Sequence, residues 1–295
     1  MEFVVFLAAY MVRRKLDNSG LMATDTFWRK SFSHAQSVAP GREASLARGL
    51  VIIAVPTLLL VVGEILLRDA GWSFAIHPVA FVLLFVLMGT PGLGGMLDLY
   101  IDAWRKGDMQ SAWHQVCDFL PPADRGTASS PEQMHQALSR TVIGMIFERY
   151  FVIAFWYVVA GMGGAFAARA LIALRDHWPH AAARTGFGRL VNGLNYLPSR
   201  LLGLTFGIAG DLAGWLKSGR SVVFSLSGNA WQTLMEVANS SLTGYELEPE
   251  RFSSLHPQDW PDFGDRSLAA VRGLMNRSML VWICALALLV IAGIV

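Results

Sequence analysis

The chain has 295 residues, 54% of them hydrophobic and 16% charged, with a formal net charge of +2 and a mean hydropathy of +0.42. A soluble domain carries about 25% charged residues, so this chain has too little polar surface to cover a water-soluble fold. Its scattered basic residues argue against nucleic acid as a partner and leave the lipid bilayer as the first one.

The opening run FVVFLAAYMV, residues 3–12, is too short to cross a hydrocarbon layer of about 30 Å. Its charges, Arg13, Arg14 and Lys15, follow it and no small-residue cleavage site appears, so it reads as an interfacial or bundle-packed helix and not as a cleaved signal peptide. The first clear span is 49–67, bracketed by Arg48 and Arg68 and bent by Pro56. Glu64 lies one turn from its end, where a carboxylate reaches the interface; a buried functional acid is the alternative.

A short turn at Asp69, Ala70 and Gly71 leads to a second span, 76–96, forming an antiparallel hairpin with the first. From Asp98 the pattern becomes amphipathic, with two helices ending before Pro121 and Pro122 and with Asp98 and Asp102 on one solvated face. Ser130 suits an N-cap, with Pro131 and Glu132 in the first turn behind it. That helix runs into a third span, 150–174, where Gly161, Ala165 and Ala168 form a strip for close helix packing.

Residues 197–216 are long enough to span but contain Arg200 and Asp211. Gly203, Gly207, Gly210 and Gly214 make one stripe on a helix, which argues for a close contact, either in a crossing or in a helix lying flat. Residues 217–265 contain no span, only a helix around NAWQTLMEVANSSL and a turn-rich polar run. The last apolar stretch, 279–295, is at the short limit for a crossing. The fold class is therefore all-α, a polytopic membrane protein with four to five transmembrane helices plus amphipathic ones. It reads as a single membrane domain over 1–295 with extramembrane segments at 98–149 and 217–277. Arg13, Arg14, Lys15, Arg29, Lys30, Arg42 and Arg48 precede the first clear span and place the amino-terminal side in the cytoplasm.

No phosphate-binding loop, HExxH or GxSxG occurs. The seven histidines show no metal-ligand spacing, and PGLGG and AGMGG do not follow a strand, so neither a metal nor a cofactor is expected. Cys117 and Cys284 stand far apart and read as inert thiols.

Three stretches carry a resemblance: FERYFVIAFWYVVAGMGGAFAARAL at 147–171, NYLPSRLLGLTFGIAGD at 195–211 and SGNAWQTLMEVANSSLTG at 227–244. In this order they resemble the AmpE inner-membrane proteins, within the larger superfamily of the cobalamin-biosynthesis CobD proteins. The AmpE resemblance implies a regulatory or sensory membrane protein linked to inducible beta-lactamase expression and to cell-wall muropeptides, with a cell-wall-derived ligand or a regulatory protein as partner. The CobD resemblance implies an ATP-dependent amide-bond-forming enzyme, or a ligand-binding or transport-related protein. The enzymes carry an acidic, amide-rich run where this chain reads Phe147, Glu148, Arg149, Tyr150, Phe151, Val152 and Ile153, and the amide is absent here. No catalytic set is therefore assigned. Ionisable and amide groups beside spans are costly unless they are paired or solvated, which makes Glu148, Arg149, Asn195, Arg200, Asp211 and Asn229 the candidate ligand-binding residues. The oligomeric state is left open, a homodimer included.

Overall fold

Long apolar blocks interrupted by glycine and proline produce helices that stop and restart. A computed structural model of the chain shows this; it describes residues 2–17, 25–33, 45–90, 92–126, 130–225, 229–242 and 246–293. His34, Arg42, residues 127–129, Ser227, Gly228, Thr243, Gly244 and the last two residues of the final predicted span lie outside them.

In chain order the helices are α1 (Glu2–Asp17), α2 (Asp25–Ser33), α3 (Ala47–Asp69), α4 (Ser73–Leu87), α5 (Leu93–Arg105), α6 (Met109–Val116), α7 (Pro122–Arg125) and α8 (Pro131–Ile146). A π-helical turn, Phe147–Phe151, joins α8 to α9 (Val152–His177), and α10 (Ala181–Ala209) follows. The remainder is α11 (Leu212–Gly214), a second π turn (Trp215–Gly219), α12 (Arg220–Phe224), α13 (Ala230–Ser241), α14 (Pro249–Leu255), a 3-10 turn (Pro257–Asp262) and α15 (Phe263–Ile291). No strand occurs among the described residues.

Three helical stretches are long and apolar enough to cross a membrane: Ala47–Asp69, Pro131–His177 and Pro257–Ile291. The first shows almost all of its apolar surface, with Val51, Val55, Leu58, Leu59 and Leu66 exposed. A soluble monomer does not leave so continuous an apolar face in water, so the chain is a membrane protein. Two expected spans differ in form. The 76–96 span is cut short: α4 ends at Leu87, and Gly89 and Gly92 take φ of 110° and 77°, a region that favours glycine. Its 15 residues cover about 22 Å at 1.5 Å per residue. The 197–216 span is likewise not one helix, because α10 stops at Ala209 and Asp211 begins a new one. Part of the turn-rich run before α15 is also helical, in α14 and the 3-10 turn.

The chain divides into two compact units interleaved in sequence. The first comprises Met1–Pro91, Glu148–Pro198 and Leu289–Val295, and the second Gly92–Phe147 and Ser199–Leu288. In the first unit, α3 packs against α9 and α1 against α4. Gly163 makes the α3 contact possible, since a Cβ there would collide with Val61. Just before Gly163, α9 is broken at Ala160 and Gly161, where Gly161 takes φ 63°, ψ −157°. Glu64 faces this break, 3.1 Å from where a Gly161 Cβ would lie. It accepts a hydrogen bond from Arg68 at 2.8 Å, and Arg68 also donates to Glu2 at 2.7 Å. The acid is thus paired at the helix end.

In the second unit the glycine stripe supports a fold-back. Trp215 lies against Gly207 and donates its indole N–H to the Gly203 carbonyl at 2.9 Å, while Val223 covers Gly203 and Ser241 covers Gly210. A buried neutral network sits beside α5: Tyr100 bonds His135 Nδ1, and His135 Nε2 bonds the Ser267 hydroxyl, both at 2.9 Å. Burial pushes the Tyr100 phenol well above its usual range. The phenol therefore keeps its proton, and a neutral His135 ring donates from one nitrogen and accepts at the other. Trp104 and Phe263 pack against the His135 ring. Asp98 and Asp102 are exposed, as their shared solvated face requires.

Candidate functional site

The side chains least compatible with an apolar helix gather around the π turn of the first unit. A π turn is wider than an α turn and is often found where function needs a displaced side chain. Here it carries Glu148, Arg149 and Tyr150, and each takes a different partner. Glu148 is 3% exposed and receives both terminal nitrogens of Arg175 at 2.7 Å, a fork-to-fork geometry. It also accepts from Asn195 Nδ2 at 2.9 Å. Arg175 Nε donates to Asp176 at 2.8 Å.

Arg149 turns to α2. Its Nη2 donates to Asp25 Oδ2 at 2.7 Å, and Arg169 Nη2 donates to Asp25 Oδ1 at 2.7 Å. His177 Nε2 stands 3.7 Å from the same carboxylate, an ion-pair distance too long for a hydrogen bond. Burial alone raises the Asp25 pKa, but the His177 contact and the charges of Arg149 and Arg169 outweigh it and hold the carboxyl far below the ordinary carboxylate range. The Arg169 guanidinium also lies over the Trp28 ring, 5.5 Å from its centroid. Tyr150 donates to Asp17 at 2.5 Å; that carboxylate also takes the Thr90 N–H at 2.6 Å and pairs with buried Arg13 at 3.0 Å.

Around Asp25 and Glu148, four buried polar atoms have no hydrogen-bond partner among the described residues: Arg149 Nη1, Arg169 Nη1, His177 Nε2 and Asn195 Oδ1. Its rim is partly open, with the side chains of Asp25, Arg175 and Asp176 24%, 22% and 33% exposed. The arrangement can bind and orient polar groups. Glu148 is held at both oxygens and so serves as a positioning group.

Of the six candidate residues, Glu148, Arg149 and Asn195 come together here. Glu148 pairs with Arg175 and not with its neighbour Arg149. The other three belong to the second unit. Arg200 donates to the Ser225 carbonyl, Asp211 caps α11 through the Ala213 N–H at 3.0 Å, and Asn229 caps α13 through the Trp231 N–H at 3.1 Å. Sequence reasoning missed Asp25, Arg169, Arg175, Asp176 and His177. The available signal was the density of ionisable groups in RDH at 175–177 directly after apolar sequence.

Two curated relatives, each named cobalamin biosynthesis protein CobD, are similar to part of the chain. The one from Chromobacterium violaceum is 30% identical over 196 residues, which is 61% of this chain and 60% of the relative. The one from Stutzerimonas stutzeri is 28% identical over 165 residues, 54% of this chain and 52% of the relative. The chain thus spans little more than half the length of either. No solved structure matches. The family model described as "Regulatory signalling modulator protein AmpE" matches residues 14–295; with both the π-turn cluster and nearly the whole membrane-embedded fold inside that match, the chain belongs to the AmpE family.

Proposed function

We propose that the chain is an inner-membrane regulatory protein acting in inducible beta-lactamase expression, and that it responds to a cell-wall-derived small ligand bound at the π-turn cluster. The observation that carries this reading is the cluster itself: Arg149 and Arg169 are 6% and 1% exposed, share one carboxylate and retain unused donors. Burying charges costs several kcal/mol per ion unless they are fully compensated. Neutral side chains would build a cheaper bundle, and the donors left over inside this one point to a further bound group. The basic residues ahead of the first span support a cytoplasmic amino-terminal side, from which a cytosolic partner could read the bound state.

Deleting the gene and measuring induced beta-lactamase tests the reading. Altered induction, restored by the wild-type gene and not by Arg149→Gln, is the expected result. Unchanged induction with unchanged muropeptide levels removes it. A reporter fused before the first helix and active only outside the cytoplasm would reverse the topology.

A further inference from the structure

The cluster has two ends of opposite character. At one, Arg149 and Arg169 each spend one terminal nitrogen on Asp25 and hold the other, Nη1, buried and without a partner among the described residues. Two unpartnered cationic donors held on one carboxylate suit an oxyanion. At the other, Asn195 gives its Nδ2 to Glu148 and keeps Oδ1 buried and unpartnered. The amide orientation is fixed by chemistry, because ionised Glu148 only accepts and Nδ2 must face it. Asp176, bound to Arg175 through Oδ1, is the most exposed carboxylate of the group, so this end presents acceptors and negative charge. The ends adjoin: Glu148 and Arg149 are consecutive, and Asp176 interacts electrostatically with both Arg149 and Arg169.

A carboxylate alone would satisfy only the first end, and a cation only the second. We propose that the cluster binds a small zwitterion, an α-amino-acid end group whose carboxylate lies on Arg149 and Arg169 and whose ammonium lies against Asn195 Oδ1 and Asp176. The inference rests on the cluster being the ligand site proposed above and names the chemical class of that ligand. Asp25 then has a second role, holding the two guanidinium groups side by side so that their free N–H groups act as a pair.

The test is calorimetry on the full-length chain in detergent with 2,6-diaminopimelate, which has two α-amino-acid ends. Pimelate keeps its carboxylates without ammonium groups, and 1,5-diaminopentane keeps its amines without carboxylates. Diaminopimelate is expected to bind at least about tenfold tighter than either and to raise the melting temperature. Equal binding of pimelate reduces the site to an oxyanion site and overturns the proposal, as does equal binding of diaminopentane. Tighter binding of O-phosphoethanolamine makes the oxyanion a phosphate, such as a lipid headgroup, and also overturns it. Asn195→Leu should weaken diaminopimelate and leave pimelate unchanged. Arg169→Lys, which keeps the charge beside Asp25, should weaken both. Wild-type binding by an Asn195→Leu protein of native melting temperature counts against the assignment, and so does the absence of any binding to the wild type. Because binding is read on purified protein and the proposed function in cells, altered induction without binding overturns only the ligand class, and binding without altered induction overturns only the signalling role.

Discussion

Two buried polar networks, one in each unit, show what separates a site from a strut. Around His135 every polar atom of the chain Tyr100–His135–Ser267 is neutral, bonded and enclosed by aromatic rings. Around Asp25 and Glu148 the network is ionic, the rim is partly open, and four buried atoms lack hydrogen-bond partners among the described residues. A closed neutral network specifies a core at modest cost. An incompletely satisfied ionic one is expensive to maintain and has donors and acceptors to offer a ligand.

The largest expected effect lies in the ionic network. Arg169→Ala leaves Asp25 half-compensated and uncovers Trp28, and should cost about 3–5 kcal/mol, the range for breaking a buried pair. Detergent melting curves read it directly. The triple change Asp25→Ala, Arg149→Met and Arg169→Met removes the carboxylate together with both guanidinium groups that it pairs and should recover much of the loss. If Tyr100→Phe cost as much as Arg169→Ala, the distinction between the networks would collapse.

Acid probes the same contrast. The native pKa of Asp25 is depressed, so its stabilisation is complete above the unfolded value of about 4 and is lost as pH falls below that value toward the native one. The wild type should therefore lose melting temperature between neutral pH and about pH 3 more steeply than Asp25→Asn. Parallel acid limbs would mean that the carboxylate is not held by its arginines.

The neutral network should respond more mildly. His135→Leu strands the neutral Tyr100 and Ser267 hydroxyls at about 1–1.5 kcal/mol each, the low end of the range for an unsatisfied group. Adding Tyr100→Phe and Ser267→Ala removes those groups and should restore most of the stability. Smaller again is the α3–α9 contact: Gly163→Ala forces Val61 to move, at about 1–3 kcal/mol, and Val61→Ala in the same chain should relieve it. Ligand affinity should be unchanged in both series, because neither touches the π-turn cluster.

How much of this was legible follows from the same physics. Hydropathy located α3, α9 and α15, because a run of apolar residues needs no distant partner to be recognised. It overextended the spans at 76–96 and 197–216, because the stops at Gly89 and Gly210 depend on local backbone geometry and on Ser241 crowding Gly210, which periodicity does not record. Glu148, Arg149 and Asn195 stood out as polar groups in apolar sequence. Asp25 did not: it lies 124 residues from Arg149 in a polar stretch where another aspartate carries no signal, and only the fold makes it the centre of the cluster.

The smallest effects belong to Asp211 and Asn229. Sequence reasoning placed them at a ligand site because a polar group beside an apolar helix is costly, but a helix end offers such a group unbonded N–H donors to accept from. Both side chains occupy that position. Asp211→Ala and Asn229→Ala should each cost about 1 kcal/mol, and serine at either position should restore most of it, because a hydroxyl oxygen can accept the same N–H. Serine cannot replace a carboxylate or an amide in contact with a ligand. An Asn229→Ser protein with wild-type melting temperature and weakened diaminopimelate binding would therefore place Asn229 in the site, whereas unchanged binding leaves it a cap.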